Sequence, residues 1–241
     1  MRKKSGPIES TLLKWFTKPG RIGAVTPVSE HFRFVDMEGD GLRGHAFAAG
    51  HKLQLRLEGM SFRTYTPLFW DGEQGRTRFL AYVHDDSPAT RWINRLEAGS
   101  EILFHGPKPS LDTGTPENSL LLFGDETSFG LAASLRMRAN AGQTPRHVFV
   151  FEVTSKTEAQ AVLDQLGIEA VLIERRDGDS HLDILSAAFD EAADRLAPDL
   201  FMLTGKATTI QHLRKSLKTR GVLSARLRNK AYWAPGKTGL D

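Results

Sequence analysis

The sequence predicts a two-domain protein, in which an antiparallel, barrel-like β domain precedes an α/β domain built on a parallel sheet. In the first half, short segments alternate apolar and polar residues, as antiparallel strands with one buried face do. In the second half, continuous apolar runs alternate with helix-like segments, which predicts parallel strands joined by right-handed crossovers. Residues 107–118, rich in Pro, Gly, Ser and Thr, have the composition of a linker. We therefore divide the chain into domains at residues 1–115 and 116–241.

The first domain carries three alternating segments, at residues 52–57, 77–83 and 100–104, and one short helix beginning at Pro88. Ser87 is a favourable N-cap for this helix, and proline is favourable as its first residue. A helix N-terminus that follows a strand offers free N–H groups to a phosphate. The plainer interpretation is a helix that only packs Trp92 into the core.

The second domain has apolar, strand-like runs at residues 120–123, 147–153, 170–173 and 200–203. Helix-like segments follow them at residues 129–141, 157–166, 184–196 and 208–218. Two of the runs end in glycine, at Gly124 and Gly205, and open α/β sheets bind nucleotides at this carboxyl edge. Asp125 and Glu126, which follow Gly124, could instead serve only as helix caps.

Composition excludes several kinds of function. The chain has 241 residues, 40% hydrophobic and 25% charged, which is typical of globular proteins. The absence of cysteine excludes disulfides, thiolate catalysis and cysteine-ligated clusters. The histidines lack the H-x-x-x-H and H-E-x-x-H spacings, so we predict no metal site. No apolar run is long enough for a signal peptide or a membrane span, so we expect a cytoplasmic protein without membrane insertion.

Residues 211–240, next to the C-terminal Asp241, are strongly basic. The net charge is only +3, yet residues 211–240 contain eight Lys and Arg and no Asp or Glu. Such a run raises the local potential and favours an anionic ligand, although a solvated face is the commoner explanation. The run matches no nucleic-acid-binding motif, so we expect no nucleic-acid partner.

The motif Arg63-Thr64-Tyr65-Thr66 has the chemistry of a nucleotide cofactor site. On a strand, Arg63 and Tyr65 share one face. The Arg63 guanidinium suits phosphate oxygens, Tyr65 can lie flat on a ring system, and the Thr66 hydroxyl can bond to a ring nitrogen. The alternative is an ordinary edge strand with a surface arginine and a packed tyrosine.

In their order along the chain, these motifs resemble the siderophore-interacting protein family, a branch of the ferredoxin reductase-like flavoproteins. The residues that carry the resemblance are Arg63-Thr64-Tyr65-Thr66, Ser87-Pro88-Ala89, Trp92, Gly106-Pro107, Gly124-Asp125-Glu126-Thr127, Gly205, Tyr232-Trp233 and Gly236. The resemblance implies a six-stranded antiparallel barrel that holds FAD, followed by an NAD(P)H-binding α/β domain.

The resemblance also implies roles for individual residues. Arg63 and Thr64 would hold FAD together with His84, Ser87, Ala89 and Thr90. Tyr65 and Thr66 would tune the flavin. NADH or NADPH would contact Gly124, Asp125, Glu126, Thr127 and Gly205, while Tyr232 and Trp233 would cover the flavin or pack the domain junction. The chain departs from the family pattern at Asp85, Asp86, Gly130, Met202 and Lys206.

The function implied is an FAD-dependent reductase that passes electrons from NAD(P)H or reduced ferredoxin to ferric siderophores and releases Fe(II). The alternatives are a generic flavin or ferredoxin reductase on the same scaffold and a non-catalytic anion-binding protein. An anionic siderophore needs cations near the flavin, so we predict a basic patch of Lys230 and Arg228, joined by Lys206 and Lys237. The plainer view is that these cations only solubilise a terminal strand.

Overall fold

We describe the chain from a computed structural model, which covers residues 16–57, 61–84, 87–115, 118–138 and 146–237. Residues 1–15, the Asp85-Asp86 pair and residues 139–141 of one predicted helix lie outside the described residues. Among those described, no helix is both long and apolar enough to span a lipid bilayer.

The described part of the first domain forms an antiparallel sheet and one short helix. The sheet order is β4-β3-β7-β1-β2-β6-β5, and each pair of neighbours is antiparallel. The bounds are β1 Lys18–Pro27, β2 Phe32–Glu38, β3 His51–Arg56, β4 Phe62–Tyr65, β5 Pro67–Asp71, β6 Arg76–Tyr82, α1 Pro88–Ile93 and β7 Glu101–Pro109. The predicted antiparallel domain and the predicted helix are therefore confirmed.

The sheet has seven strands among the described residues, where six were expected. The extra strand arises because one chain segment breaks at Thr66: β4 pairs with β3 at one end of the sheet, and β5 pairs with β6 at the other. Pro67 has no N–H to donate, so the ladder cannot continue unchanged through it. Since β4 and β5 are consecutive, the two ends of the sheet come together at Thr66.

The inner face of this sheet is packed by the apolar residues of the alternating segments. In β3, Leu53 and Leu55 are fully buried, whereas Lys52 and Gln54 are partly exposed. Phe79 and Phe104 contribute the largest buried rings, and Trp92 packs against the same cluster from α1. The period-two pattern thus predicted the correct buried face.

The second domain is a five-stranded parallel sheet, as predicted, with strand order β10-β9-β8-β11-β12 among the described residues. Its elements are β8 Leu120–Gly124, α2 Phe129–Arg138, β9 His147–Val153, α3 Lys156–Leu166, β10 Val171–Glu174, α4 Leu182–Leu196, β11 Leu200–Lys206, α5 Ala207–Thr219 and β12 Leu227–Trp233. Strands β8 and β11 are buried along their whole length, which explains their unbroken apolar runs.

One buried apolar cluster contains residues of both domains. Phe32 and Leu80 of the first domain belong to the same buried cluster as Phe129 of α2 and Phe151 of β9. The rings of Phe32 and Phe129 stack with their centroids 5.7 Å apart. Strands β4 to β6 are therefore held against the start of α2, and a cleft lies at this junction.

A buried polar cluster lies at the carboxyl edge of the parallel sheet. Glu152, at the end of β9, is 0% exposed and accepts hydrogen bonds from Thr209 Oγ1 at 2.9 and 3.0 Å. His181 Nδ1 accepts from the Arg176 N–H, so its proton lies on Nε2, which donates to Glu152 at 3.1 Å. These bonds tie the start of α5 and the loop before α4 to β9, because a buried carboxylate needs such partners.

We expect Thr209→Val to lower the free energy of unfolding by about 1.5–3 kcal/mol, since it keeps the side-chain shape but removes a hydrogen bond to a buried carboxylate. Chemical denaturation would measure the change. The matched control is Thr208→Val, because Thr208 is the exposed neighbour on the same helical turn and should change stability by less than about 0.5 kcal/mol. Equal effects of the two substitutions would contradict the role given to this hydrogen bond.

Candidate functional site

A cleft lies where the first domain meets the second, and it encloses about 870 Å³, part of it open to solvent. Its lining is aromatic and hydroxyl-bearing, with two cations: Phe62, Arg63, Thr64, Tyr65, Thr66, Leu80, Tyr82, Thr127, Gly130, Lys230 and Tyr232. The structure thus brings together seven residues that the sequence selected from three separate motifs.

Strand β4 supplies one wall of the cleft. It pairs Arg63 with Leu55 and Tyr65 with Leu53, so the Arg63 and Tyr65 side chains share one face. Arg63 is half-buried, and its Nη1 donates to the Phe62 carbonyl at 2.9 Å. The centroids of the Tyr65 and Phe79 rings are 4.5 Å apart. Burial raises the pKa of the Tyr65 hydroxyl. Tyr65 therefore stays neutral and can serve as a hydrogen-bond donor.

The opposite wall comes from the start of α2, where Gly130 explains a close contact. A Cβ at this position would lie 2.7 Å from the Thr66 carbonyl oxygen, nearer than real Cβ contacts come. Gly130 is buried at the junction between the domains. Its lack of a side chain allows the backbone between β4 and β5 to contact the helix directly. Thr127, just before the helix, also faces the cleft.

Strand β12 forms the third side. Lys230 and Tyr232, two residues apart, both line the cleft, as strand geometry requires. Lys230 Nζ donates to Ser110 Oγ at 2.6 Å. Burial raises the pKa of the Tyr232 hydroxyl, and the neighbouring Thr66 side chain opposes this shift.

Tyr82 connects the cleft to both domains. Its hydroxyl donates to Thr154 Oγ1 at 3.2 Å across the junction, and burial is the first cause that raises its pKa to about 12. The exposed imidazole of His84 stacks on its ring, with centroids 4.7 Å apart. Through this stack, His84 lies one ring away from the cleft.

The predicted phosphate-binding helix start has the expected cap but lies apart from the lining residues just given. Ser87 Oγ accepts from the Thr90 N–H at 3.2 Å, and Pro88 is the first helical residue. Helix α1 ends at Ile93, so it has six residues and a short dipole. Ser87, Ala89 and Thr90 therefore lie at the start of a short helix and are not among the residues that line the cleft.

The predicted nicotinamide loop turns its carboxylates inward. Asp125 is 0% exposed: it accepts from the Thr127 N–H at 2.9 Å and from Trp233 Nε1 at 2.7 Å. Glu126 accepts from the Thr154 N–H at 2.6 Å and from both terminal nitrogens of Arg175 at 2.9 and 2.7 Å. Asp125 therefore caps the turn into α2, the alternative noted from the sequence, and only Thr127 of this loop lines the cleft.

Burial, and then the neighbouring Glu126, raise the pKa of Asp125 to about 6, while Arg175 opposes the shift. Gly205 makes room for this carboxylate, because a Cβ there would lie 2.3 Å from Asp125 Oδ2 and its φ is +96°. The Arg175 guanidinium also lies over the Trp233 ring, 5.9 Å from its centroid. Trp233 therefore packs the end of the parallel sheet, whereas its neighbour Tyr232 faces the cleft.

The expected basic patch is divided by the fold. Lys230 lies in the cleft, and Lys237 is exposed. Arg228 Nε forms an ion pair with Asp112 at 2.9 Å, which ties β12 to the segment between the domains. Lys206 is only 8% exposed and its Nζ bonds to Asp179 at 2.7 Å, so its charge is mostly buried and already paired. The physical reason is that β11 is buried along its length.

Two residues of the junction were missed by sequence reasoning. Tyr82 is the last residue of β6, and the sequence indicated only that it belongs to an alternating strand. Arg175 directly follows β10, so the rule that selected Gly124 and Gly205 at the carboxyl edge also applies to it. Apart from this position, a single arginine after a short strand gives no sequence signal of its role.

Comparison with known proteins agrees with this architecture. The family model described as siderophore-interacting protein matches residues 117–236, about half of the chain. No curated protein sequence gives a significant match.

Solved structures resemble both domains together. A siderophore utilization protein from T. fusca is 21% identical, with a TM-score of 0.73 over 93% of this chain and 95% of that one. The siderophore-interacting protein SipS from Aeromonas hydrophila is 17% identical, with a TM-score of 0.73 over 92% and 93%. Phthalate dioxygenase reductase is 14% identical, with a TM-score of 0.74 over 93% of this chain and 70% of that one.

At these identities the structures establish a shared ferredoxin reductase-like fold, with an antiparallel sheet domain before a parallel α/β domain. The family model matches the second domain, and the order of motifs in the first is the one expected beside it. The chain therefore belongs to the siderophore-interacting protein family.

Proposed function

We propose that this protein is a flavin-dependent reductase that binds FAD in the junction cleft, reduces Fe(III) held by siderophores and releases Fe(II). The observation that carries the proposal is the convergence of Arg63, Tyr65, Thr66, Lys230 and Tyr232 on one cleft between the two domains. Membership of the siderophore-interacting protein family supports the choice of substrate.

The lining of the cleft suits a flavin nucleotide. Tyr65, Tyr82 and Tyr232 offer aromatic surface for a ring system. Thr64, Thr66 and Thr127 offer hydroxyls that can donate to or accept from ring nitrogens and oxygens. The Arg63 guanidinium is the group best matched to a diphosphate, because its planar donors can bind two oxygens at once.

The chemistry of these groups assigns a role to each of them. When bound, FAD would supply the redox chemistry, because a flavin can accept an electron pair from NADH or NADPH, or single electrons from two reduced ferredoxins, and can release electrons one at a time to Fe(III). Arg63 binds the cofactor, and Tyr65 and Thr66 orient it and tune it by contact. Tyr232 lies beside Thr66 in the lining of the cleft. No side chain is required as a general acid or base.

Lys230 is the group that we assign to the substrate. It lies in the cleft and carries a positive charge, while many ferric siderophores are anionic. The assignment narrows the sequence prediction, because Arg228 and Lys206 are paired with Asp112 and Asp179. Fe(II) binds hard oxygen ligands less tightly than Fe(III), so reduction leads to release without a protein ligand for iron.

The first test is cofactor binding. The purified protein should show the visible spectrum of a non-covalently bound flavin, and Arg63→Ala should weaken FAD binding by tenfold to a hundredfold, or about 1.5–3 kcal/mol. Arg76→Ala is the matched control, because Arg76 lies in the same sheet, is exposed and pairs with Asp71. Full flavin content in Arg63→Ala after extensive dialysis would contradict the assignment.

The second test is iron reduction. With NADH, NADPH or reduced ferredoxin, the FAD-loaded protein should generate Fe(II) from ferric siderophores, detected by a ferrous-specific chelator under anaerobic conditions. We expect Lys230→Glu to raise KM for an anionic ferric chelate roughly threefold to tenfold at low salt, with the effect shrinking as salt screens the charge. A neutral ferric chelate should be affected little.

Two variants separate charge from structure in this assay. Ser110→Ala removes the hydroxyl to which Lys230 donates without altering any charge. Lys218→Glu changes an exposed charge on α5, away from the cleft. Equal KM changes in Ser110→Ala and Lys230→Glu would refute the electrostatic role, and reduction of free flavin or ferredoxin without any ferric siderophore activity would favour a generic reductase.

A third prediction concerns Gly130. Gly130→Ala should displace the Thr66 backbone, because overpacking against a fixed carbonyl typically costs about 1–3 kcal/mol. We expect FAD affinity to fall by about tenfold and the thermal stability of the flavin-loaded protein to fall with it. Gly23→Ala is the control, because a Cβ there meets its nearest atoms at an ordinary 3.7 Å. Unchanged FAD affinity in Gly130→Ala would show that the Thr66 position tolerates displacement.

A further inference from the structure

Three potential metal ligands from two domains meet beside the junction. Glu30 and His31 lie in the turn between β1 and β2, and Glu158 lies in the first turn of α3. One ligand atom from each of the three lies within 4.8 Å of the others, and His31 Nδ1 is 3.0 Å from Glu158 Oε2. Among the described residues, this is a cluster of mixed imidazole and carboxylate ligands rather than of acidic residues alone.

We propose that Glu30, His31 and Glu158 bind a divalent first-row transition cation that bridges the two domains. Imidazole suits Zn²⁺ and Fe²⁺, and carboxylates suit Mn²⁺ as well, so the donor set selects this class of ion over alkali or alkaline-earth ions. Metal–ligand bonds of about 2.0–2.2 Å bring neighbouring ligand atoms to roughly 3–4 Å. Closing the cluster from 4.8 Å therefore needs only small side-chain movements.

The backbone that carries these ligands is fixed on both sides. Arg33 Nη1 donates to the carbonyls of Ser29, Glu30 and Phe32 at 2.7, 3.0 and 3.0 Å. These bonds hold the turn, and they engage the positively charged guanidinium that lies near it. On the other side, Ser155 Oγ accepts from the Glu158 N–H at 3.3 Å and caps α3. Preorganised ligands of this kind reduce the cost of binding an ion.

A second observation in the same turn points to a missing partner. Ser29 Oγ is buried and has no hydrogen-bond partner among the described residues. Buried hydroxyls are normally satisfied, and a water molecule of the ion's coordination sphere would provide a partner. The turn thus combines two ligand side chains with an unsatisfied hydroxyl.

The cluster lies next to the cleft. The rings of His31 and Tyr82 are 6.4 Å apart, and the Tyr82 hydroxyl bonds to Thr154, just before α3. A bridging ion would add bonds between the domains beside the contact that Tyr82 makes. The proposal does not depend on the proposed reductase function, since its evidence lies outside the cleft.

The test uses the full chain after treatment with a chelator, titrated calorimetrically with Zn²⁺ and, separately, with Mn²⁺ followed by electron paramagnetic resonance. We expect one saturable site, and at least about tenfold weaker binding in both His31→Ala and Glu158→Gln, because each removes one of three ligands. His212→Ala is the control, because it removes an exposed histidine on α5 and should leave the affinity unchanged.

The result that would overturn the proposal is no saturable binding, or binding that neither His31→Ala nor Glu158→Gln weakens. Either would mean that His31 and Glu158 form an ion pair only. Circular dichroism would verify that each variant is folded, and His31→Gln would replace His31→Ala if the latter is not. Loss in the His31 variants but not in Glu158→Gln would also refute the bridge, because the ion would then belong to one domain.

Discussion

The contact on which the rest of the site depends is the one between the Thr66 carbonyl and Gly130. It lies where β4 ends and β5 begins, so it fixes the point at which the antiparallel sheet changes pairing partner. Because Gly130 has no side chain, α2 approaches Thr66 closely, and Tyr232 of β12 lies beside the Thr66 side chain. One residue is thereby held by three elements from two domains. The cleft forms around it because all of these elements end there.

A second constraint is electrostatic, and it holds the carboxyl edge of the parallel sheet. Arg175 bonds to Glu126, to Thr154 and to the Glu152 carbonyl, and it lies 3.8 Å from Asp125. Buried carboxylates without such a partner would be costly, so the guanidinium makes this arrangement of strand ends possible. Asp125 in turn binds Trp233 and requires Gly205. Loops after β8, β10 and β11 and the end of β12 are thus parts of one network rather than separate binding loops.

The sequence predicted what depends on local pattern. Alternation and apolar runs gave the buried faces, and Ser87 and Ser155 cap helices as their residue types suggest.

The features that the sequence did not predict depend on pairing between residues that are far apart in the chain. The break at Thr66 is invisible until β4 and β5 are seen to have different partners. The sequence predicted one basic patch, but Asp112 and Asp179, which pair with Arg228 and Lys206, are distant from them in sequence. Likewise, local histidine spacing says nothing about His31 and Glu158, which are 127 residues apart.

The position of Lys206 shows how a departure from the family pattern can be compensated within the fold. A lysine where the family resemblance leads us to expect an acidic residue would reverse the charge at the end of β11. Asp179, in the loop before α4, bonds to its ammonium group at 2.7 Å, and this contact is the first cause that lowers the pKa of the Asp179 carboxyl. The pair therefore restores neutrality at the strand end, since the two opposite charges are in contact. Sequence comparison at this position alone would suggest a changed ligand preference. The structure instead assigns the positive charge of Lys206 to an internal ion pair, whereas Lys230 lines the cleft together with Arg63.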